Sequence, residues 1–172
     1  MKRIVIIGIM ASGKTTLAAK LSQCLQIPHI ETDTLLWGPN WERTPNDEFD
    51  RQLEKLTQAN EWVAEGGHRT PLAWERADTL IWLDYSVRVV LERLTRRNFR
   101  RIVLREKIWG RNSERWTALV THYPITLYRY FNSRKKRLRE LAQPQFSHLR
   151  VVRLRSPQET DRWLAGITKA SD

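Results

Sequence analysis

The sequence predicts a three-layer α/β fold around a parallel sheet, and three observations support that prediction. Short runs rich in Val, Ile and Leu alternate along the chain with longer segments of helical periodicity. These runs do not alternate apolar with polar residues, which is typical of strands buried on both faces of a parallel sheet. Helix-start signals, such as Ser156 followed by Pro157 and Glu159, fall where the helical segments begin. This regular strand–helix order favours helices packed on both faces of one sheet.

A single domain over residues 1–172 is expected, built from five strands and six helices. The expected strands are residues 3–7, 28–31, 62–65, 79–83 and 149–154. The expected helices are residues 14–25, 45–60, 71–76, 86–101, 117–142 and 157–168. The basic stretch at about 99–116 has no clear periodicity and contains Gly110, so we interpret it as an insertion after the fourth helix.

The first loop carries the most specific motif of the chain. Residues 8–15 read Gly-Ile-Met-Ala-Ser-Gly-Lys-Thr, a complete G-x-x-x-x-G-K-[ST] phosphate-binding loop between a strand and a helix. Its glycines allow backbone N–H groups to converge on one anion, and the following helix adds the positive end of its dipole. We expect Lys14 to reach the β- and γ-phosphates of a nucleoside triphosphate and Thr15 to offer its hydroxyl to Mg²⁺. The residues expected to bind the nucleotide are Gly8, Ala11, Ser12, Gly13, Lys14, Thr15 and Thr16.

Composition excludes several classes of protein. The chain has 41% hydrophobic and 28% charged residues, as in an ordinary globular domain, and no apolar run approaches the roughly 20 residues that span a bilayer. The single cysteine, Cys24, excludes an intrachain disulfide and a cysteine-rich zinc site. No secretory signal precedes the first strand, so we expect a cytoplasmic protein without a membrane partner.

Positive charge is concentrated in one segment of the chain. Residues 88–139 hold 16 Lys and Arg against three Glu, a net charge of +13, whereas the whole chain carries +11. This clustering favours a polyanionic partner, either nucleotide phosphates or a nucleic-acid backbone. A solvated, arginine-rich helix face explains part of the excess.

The loop and the element order are compatible with a GTPase, an ATPase motor or a small-molecule kinase. The Asn-Lys-x-Asp motif with which GTPases bind guanine is absent, and so is the strand ending in an Asp-Glu pair that a motor needs. The kinase interpretation is therefore preferred, and the missing guanine motif favours ATP as the phosphate donor.

The segment after the third expected strand resembles adenylate kinases and other nucleoside monophosphate kinases. Residues 65–70 read Glu-Gly-Gly-His-Arg-Thr, similar to the Asp-Gly-x-x-Arg-Thr of that family, with Glu65 in place of the aspartate. The resemblance implies that Glu65 helps to hold Mg²⁺ through water and that Arg69 binds the phosphate of the acceptor. The double glycine is also similar to the substrate loop of shikimate-type kinases.

Arg93 and Arg97 resemble the arginines that clamp the transferring phosphate at the start of the lid in the same kinases. They are four residues apart and therefore share one face of a helix. An exposed helix surface is the alternative interpretation. Arg134 lies in a basic run that is similar to the helix after the lid, where it either reaches the phosphates or faces solvent.

A narrower resemblance covers almost the whole chain. Residues 29–37 (His-Ile-Glu-Thr-Asp-Thr-Leu-Leu-Trp), 40–45 (Asn-Trp-Glu-Arg-Thr-Pro) and 62–66 (Trp-Val-Ala-Glu-Gly) are similar to the adenylate-kinase-like proteins of the DNA topology modulation (FlaR-type) family. This resemblance implies a P-loop NTPase fold with sheet order 2-3-1-4-5 and a basic lid. The family's Asp-Gly-Asn-Tyr is Glu-Gly-Gly-His at residues 65–68 of this chain.

Candidate acceptor-binding residues follow the second strand, at the carboxyl edge where open α/β sheets bind ligands. Asp33 either orients or deprotonates an acceptor hydroxyl, or it caps a short helix. Trp37 and Trp41 either form the wall of an acceptor pocket or pack into the core. Together with Arg69, Asp33 and Trp37 form the predicted acceptor site.

The sequence thus predicts an ATP- and Mg²⁺-dependent small-molecule kinase that transfers the γ-phosphate to a nucleoside monophosphate or another small acceptor. The alternative is a nucleic-acid-associated ATP-binding protein of the DNA topology modulation type, in which residues 88–139 contact a phosphate backbone. The candidate catalytic residues of the kinase are Lys14, Arg93, Arg97 and Asp33.

Overall fold

The structure, a computed structural model, describes residues 1–66, 70–104, 107–108, 112–113 and 117–171. The described strands are β1 (Arg3–Gly8), β2 (His29–Glu31), β3 (Trp62–Glu65), β4 (Thr79–Leu83), β5 (Lys107–Ile108), β6 (Asn112–Ser113) and β7 (Arg150–Leu154). Five of them form one parallel sheet in the order β2-β3-β1-β4-β7. Counted within this sheet, the order is 2-3-1-4-5, which confirms the predicted topology.

Helices cover both faces of the sheet. They are α1 (Lys14–Leu25), α2 (Thr32–Leu36), α3 (Asn46–Leu56), α4 (Thr70–Arg76), α5 (Val87–Val103), α6 (Thr117–Leu141) and α7 (Pro157–Ser171), with single 3₁₀ turns at Pro39–Trp41 and Pro144–Phe146. The six expected helices are present within a few residues of their predicted ends. The short helix α2 and the two 3₁₀ turns were not predicted, because segments of three to five residues show no periodicity.

The side chains of β1 explain the three layers. Val5 and Ile7 pack into a hydrophobic cluster on one face of the sheet, and Ile4 and Ile6 pack into a second cluster on the other face. All four are almost completely buried. Because successive residues of a strand point to opposite faces, a run of four apolar residues is what a strand covered on both faces requires.

The predicted insertion at about 99–116 begins later than the sequence indicates. Residues 99–103 continue helix α5, and β5 and β6 then form a short antiparallel pair. Strand β6 lies beside the turn Pro39–Trp41. The remaining residues of the insertion, 105–106, 109–111 and 114–116, lie outside the described residues.

Within the part of the chain that the structure describes, no helix is both long and apolar enough to cross a membrane. The same residues contain no group of three or more His, Cys, Asp or Glu arranged to hold a metal ion.

Candidate active site

The phosphate-binding loop connects β1 to α1 at the carboxyl edge of the sheet. Gly13 has a φ of 96°, a left-handed conformation that glycine adopts without strain, and its carbonyl accepts the first helical hydrogen bond from Leu17 N. Ser12 N donates to Ile9 O at 3.1 Å and closes the loop on itself. The Ser12 hydroxyl is buried and has no hydrogen-bond partner among the described residues. The loop thus has the sharp bend that the motif predicts.

Lys14 lies across the inside of this loop. Its Nζ donates to Ile9 O at 3.3 Å, a bond to the loop's own backbone. Burial lowers the pKa of Lys14, and the carboxylates of Glu65 and Asp33 partly oppose that effect. A buried ammonium group of this kind gains most from an anion placed beside it, because charge–charge attraction is strong where water is excluded.

Thr15 and Glu65 meet next to Lys14. The Thr15 hydroxyl donates to Glu65 Oε1 at 2.9 Å, although the two residues are 50 positions apart. Glu65 ends β3, is only 2% exposed, and burial raises its pKa to about 7, with Lys14 and the Thr15 hydrogen bond acting in the opposite direction. A hydroxyl and a carboxylate beside a phosphate loop match the oxygen donors that Mg²⁺ prefers. The described residues therefore fit a magnesium ion here.

Gly66 allows the turn after β3 to pass close to α2. Its φ is 154°, and a Cβ at this position would overlap the Thr32 hydroxyl. The glycine of the Glu-Gly pair is therefore needed for the close approach of two backbones at the edge of the cleft. Gly67, His68 and the predicted acceptor residue Arg69 lie outside the described residues.

Helix α5 places Arg93 directly on the phosphate loop. Its Nη1 donates to Ser12 O at 2.9 Å, and its guanidinium lies 5.1 Å from the centre of the Tyr85 ring. Arg97 lines the same cleft one turn further along α5, so the two arginines do share a face. The structure places both in the cleft and not on a solvent-facing surface.

Helix α6 adds cations that sequence reasoning did not single out. Arg129, Ser133, Lys136 and Arg137 line the cleft at helical spacing. Arg137 Nη2 donates to Gly8 O at 3.3 Å, and burial lowers the pKa of its guanidinium. Five of the six residues from 134 to 139 are basic, so charge alone does not identify which side chain reaches the loop. The rotation of the docked helix decides it. Arg134 turns away and forms an ion pair with Asp84.

The opposite wall of the cleft comes from the segment after β2. Asp33 lies in the first turn of α2, whose N-cap position is Glu31, and no side chain caps this helix. Both Asp33 and Glu31 line the cleft. The structure therefore does not show the capping role that was the alternative for Asp33.

Trp37 and Trp41 form an aromatic corner on this wall. Their ring centres are 5.8 Å apart and their planes are inclined by 78°, an edge-to-face arrangement. Trp37 also packs against the hydrophobic core, so both interpretations of this residue describe part of its environment. Trp41 is 39% exposed and has a φ of 60°, which is unusual for a bulky residue and indicates local backbone strain.

These elements enclose one cleft of about 1040 Å³. All predicted site residues that the structure describes line the cleft except Ser12, a loop residue whose side chain is buried. The cations lining the cleft outnumber its four carboxylates, Glu31, Asp33, Glu65 and Asp161, so the cleft as a whole attracts anions. The lining cations are Lys14, Lys20, Arg93, Arg97, Arg100, Arg101, Arg129, Lys136 and Arg137.

No protein-family model matches the chain, and no curated protein matches it. Solved structures do match over nearly the full length. A shikimate kinase from Acinetobacter baumannii, in complex with shikimate, is 19% identical, with a TM-score of 0.59 and coverage of 99% of this chain and 92% of that one. A shikimate kinase from Bacteroides thetaiotaomicron is 16% identical, with a TM-score of 0.57 and coverage of 98% and 97%.

A sugar kinase from Janibacter is a third match, 18% identical, with a TM-score of 0.52 and coverage of 99% of this chain and 98% of that one. At these identities the likeness establishes the fold, which is that of P-loop kinases, and not the activity. The resemblance to the DNA topology modulation (FlaR-type) family stays a prediction.

Proposed function

We propose that the protein is an ATP- and Mg²⁺-dependent kinase that phosphorylates a small molecule. One observation carries this proposal: arginines from two helices, Arg93 and Arg137, contact the backbone of the phosphate loop that also holds Lys14 and the Thr15–Glu65 pair. A loop that only bound nucleotide would not need further cations positioned around the phosphate. Clamps of this kind stabilise the charge that develops during phosphoryl transfer.

In the proposed reaction, an acceptor oxygen forms a bond to the γ-phosphorus while the bond to the bridging β–γ oxygen breaks, which leaves ADP. Lys14 and the loop N–H groups hold the β- and γ-phosphates. Thr15 and, through water, Glu65 would hold Mg²⁺, which would supply neutralisation of the phosphate charge. Arg93, Arg97 and Arg137 line the cleft beside the loop, so they would stabilise the charge that accumulates on the γ-phosphoryl group and on the leaving oxygen. The protein's contribution is therefore positioning and electrostatic stabilisation.

The acceptor would bind between the phosphate loop and the wall formed by residues 31–41. Asp33 interacts electrostatically with Lys14, so its carboxylate faces the region of the γ-phosphate. There it would accept the proton of an acceptor hydroxyl. Trp37 would pack against the body of the acceptor. Arg69, assigned by resemblance alone, would bind a phosphate if the acceptor is a nucleoside monophosphate.

A screen of acceptors with γ-labelled ATP tests this proposal. The panel contains nucleoside monophosphates, nucleosides, shikimate, gluconate and simple sugars, each with the wild-type protein and with Lys14→Ala. The expected result is transfer of label to one class of acceptor by the wild type and none by Lys14→Ala. Transfer of the labelled phosphate to water alone would contradict the proposal, and so would wild-type ATP affinity in Lys14→Ala.

A second candidate function is favoured by one feature of α6. Tyr128 and Phe131 are 70% and 64% exposed on a helix that also carries Arg129 and Lys135. Exposed aromatic rings among basic residues are typical of surfaces that bind single-stranded nucleic acid by stacking. Binding of a fluorescent oligonucleotide at increasing salt tests this function: a backbone-binding protein keeps measurable affinity at 150 mM salt and loses it steeply as salt rises. No binding near physiological salt would exclude it.

A further inference from the structure

Asp84 occupies a buried position beside the phosphate loop. It directly follows Leu83 of β4, which is paired with Gly8 of β1. Only 6% of its side chain is exposed, and its Oδ2 accepts hydrogen bonds from Arg153 Nε at 2.8 Å and from Arg153 Nη2 at 2.5 Å. Arg134 Nη2 lies 3.0 Å from the same oxygen. One buried carboxylate thus binds two guanidinium groups.

The two arginines connect Asp84 to different parts of the fold. Arg153 belongs to β7, and its guanidinium lies 4.6 Å from the centre of the Trp82 ring, so it is held within the sheet. Arg134 belongs to α6, which lies outside the sheet, and its side chain is 46% exposed. The Asp84–Arg134 ion pair therefore ties α6 to the carboxyl edge of the sheet.

Apolar packing holds the second half of helix α6 mainly at its two ends, where the partly buried Tyr130 and Leu141 pack against the two hydrophobic clusters. No residue from 131 to 140, all of which the structure describes, belongs to either cluster, and no side chain among them is fully buried. The Arg134 ion pair therefore lies in the part of the helix that apolar packing constrains least. The same half carries Arg137, whose Nη2 reaches Gly8 O of the phosphate loop. Arg134 and Arg137 are three residues apart, so less than one helical turn separates the anchor from the arginine at the loop.

Electrostatic repulsion opposes the position of Arg137 at the phosphate loop. Burial is the main cause that lowers the pKa of Lys14, and the positive charge of Arg137 lowers that pKa further, which shows that the two cations repel each other. Lys136 and Arg93 line the same cleft. Like charges at short range repel, most strongly where solvent is partly excluded. The carboxylate of Asp84, at the edge of the sheet, opposes this repulsion, because it pairs with Arg134 and also attracts Arg137.

We propose that Asp84 is a positioning residue for the nucleotide phosphates: through Arg134 it holds α6 so that Arg137 is already at the phosphate loop before the nucleotide binds. Asp84 itself does not line the cleft, so it acts through the helix and does not touch the ligand. The proposal rests on the proposed function in one respect, namely that phosphates bind at this loop.

ATP affinity, measured by calorimetry, tests the proposal in a double-mutant cycle of Asp84→Asn and Arg137→Gln. Each single substitution is expected to weaken ATP binding by roughly tenfold, within the range of coupling between interacting residues. The double variant is expected to bind ATP with about the same affinity as the single variant that binds it less tightly, because both substitutions remove the same Arg137–phosphate interaction. Independent, multiplying losses would overturn the proposal, and so would wild-type affinity in Asp84→Asn.

Hydrogen exchange without nucleotide provides a second readout. Asp84→Asn is expected to increase amide exchange over residues 127–141 by roughly tenfold, because the helix opens more often once it has lost the ion pair. Asp78→Asn is the matched control: Asp78 lies at the opposite end of β4 and accepts hydrogen bonds from the backbone N–H groups of Lys2 and Arg3 at 2.9 Å each. It should affect stability without changing exchange in α6. Unchanged α6 exchange in Asp84→Asn would overturn the proposal.

Two further results separate the possible failures. If the wild type binds no ATP, the proposed function is wrong, and the exchange experiment alone decides the role of Asp84. If Asp84→Asn does not fold, Arg134→Gln replaces it in both experiments, because Arg134 is the half-exposed partner of the pair.

Discussion

The Thr15 hydroxyl donates a hydrogen bond of 2.9 Å to Glu65 Oε1, which joins the first turn of α1 to the end of β3. Both groups belong to the proposed magnesium site. A hydroxyl can give an oxygen lone pair to a metal while it donates its proton to a carboxylate, so this hydrogen bond would orient the Thr15 oxygen for Mg²⁺.

Thr15→Ala is expected to weaken ATP binding by tenfold or more when Mg²⁺ is present and by much less when the metal is chelated, because only the metal-bound complex uses the hydroxyl. Calorimetry with and without Mg²⁺ measures both values. Thr15→Ser is the matched control, since it keeps the hydroxyl and should remain close to the wild type. Equal losses in both conditions would mean that Thr15 supports only the start of the helix.

Glu65 should make stability depend on pH in the absence of ligands. Burial raises its pKa to about 7, above the value of about 4.3 that a glutamate has in an unfolded chain. Between these two pH values the folded state retains a proton that the unfolded state has lost. The contribution of Glu65 to the free energy of unfolding therefore declines as the pH rises from about 4.3 through about 7, by an amount on the order of 3–4 kcal/mol.

Glu65→Gln removes this titration, so the variant is expected to gain stability relative to the wild type as the pH rises from 5 to 8. Urea unfolding at four pH values, in EDTA, measures the difference. Glu61→Gln serves as the control, because Glu61 is a half-exposed carboxylate paired with Lys2. If the difference in free energy of unfolding between the wild type and Glu65→Gln stays constant across this pH range, Glu65 titrates similarly in the folded and the unfolded state.

Arg93 is expected to matter more for phosphoryl transfer than for binding of ATP, because charge develops on the γ-phosphoryl group only in the transition state. Arg93→Ala should lower kcat by roughly 10²-fold, as does removal of other electrostatic stabilisers. Its neighbour Arg96 is the control: its side chain is 83% exposed, lies near Glu92 and does not line the cleft. A kcat for Arg93→Ala within twofold of Arg96→Ala would remove Arg93 from the proposed mechanism.

The parts of the site that the sequence predicts are those that local chemistry determines. The phosphate loop is one continuous motif, and Gly13 adopts the left-handed backbone that its glycine allows. The apolar run of β1 has a single solution, a strand covered on both faces. Arg93 and Arg97 are predicted together because the period of a helix puts positions four apart on one face.

The parts that the sequence does not predict depend on distant partners or on helix rotation. Asp84 and Arg134 are 50 positions apart, and their pairing follows only from how α6 docks on the sheet. Arg137 is one cation in a run of several, so the sequence does not distinguish it from Arg134. The backbone of Trp41 is left-handed although tryptophan does not favour that conformation, so tertiary contacts override local preference there.

The acceptor wall gives the last prediction, and it separates two effects on turnover. Asp33→Asn removes the carboxylate that would accept the proton of an acceptor hydroxyl but keeps the size of the side chain. With the acceptor that the screen identifies, kcat should fall by roughly 10²-fold or more, while KM changes little, because general-base catalysis acts on the chemical step. Trp37→Leu should instead raise KM, because it removes packing surface that contacts the acceptor throughout the reaction.

Steady-state kinetics with varied acceptor at saturating MgATP measures both effects. Asp47→Asn is the control for Asp33→Asn, since Asp47 lies on α3, its side chain is 79% exposed, and it pairs with Arg51. The decisive comparison is which kinetic constant each substitution changes. A carboxylate that merely shapes the pocket would change KM, as Trp37→Leu is expected to do. If Asp33→Asn and Trp37→Leu both leave kcat and KM within twofold of the control, the acceptor binds elsewhere in the cleft.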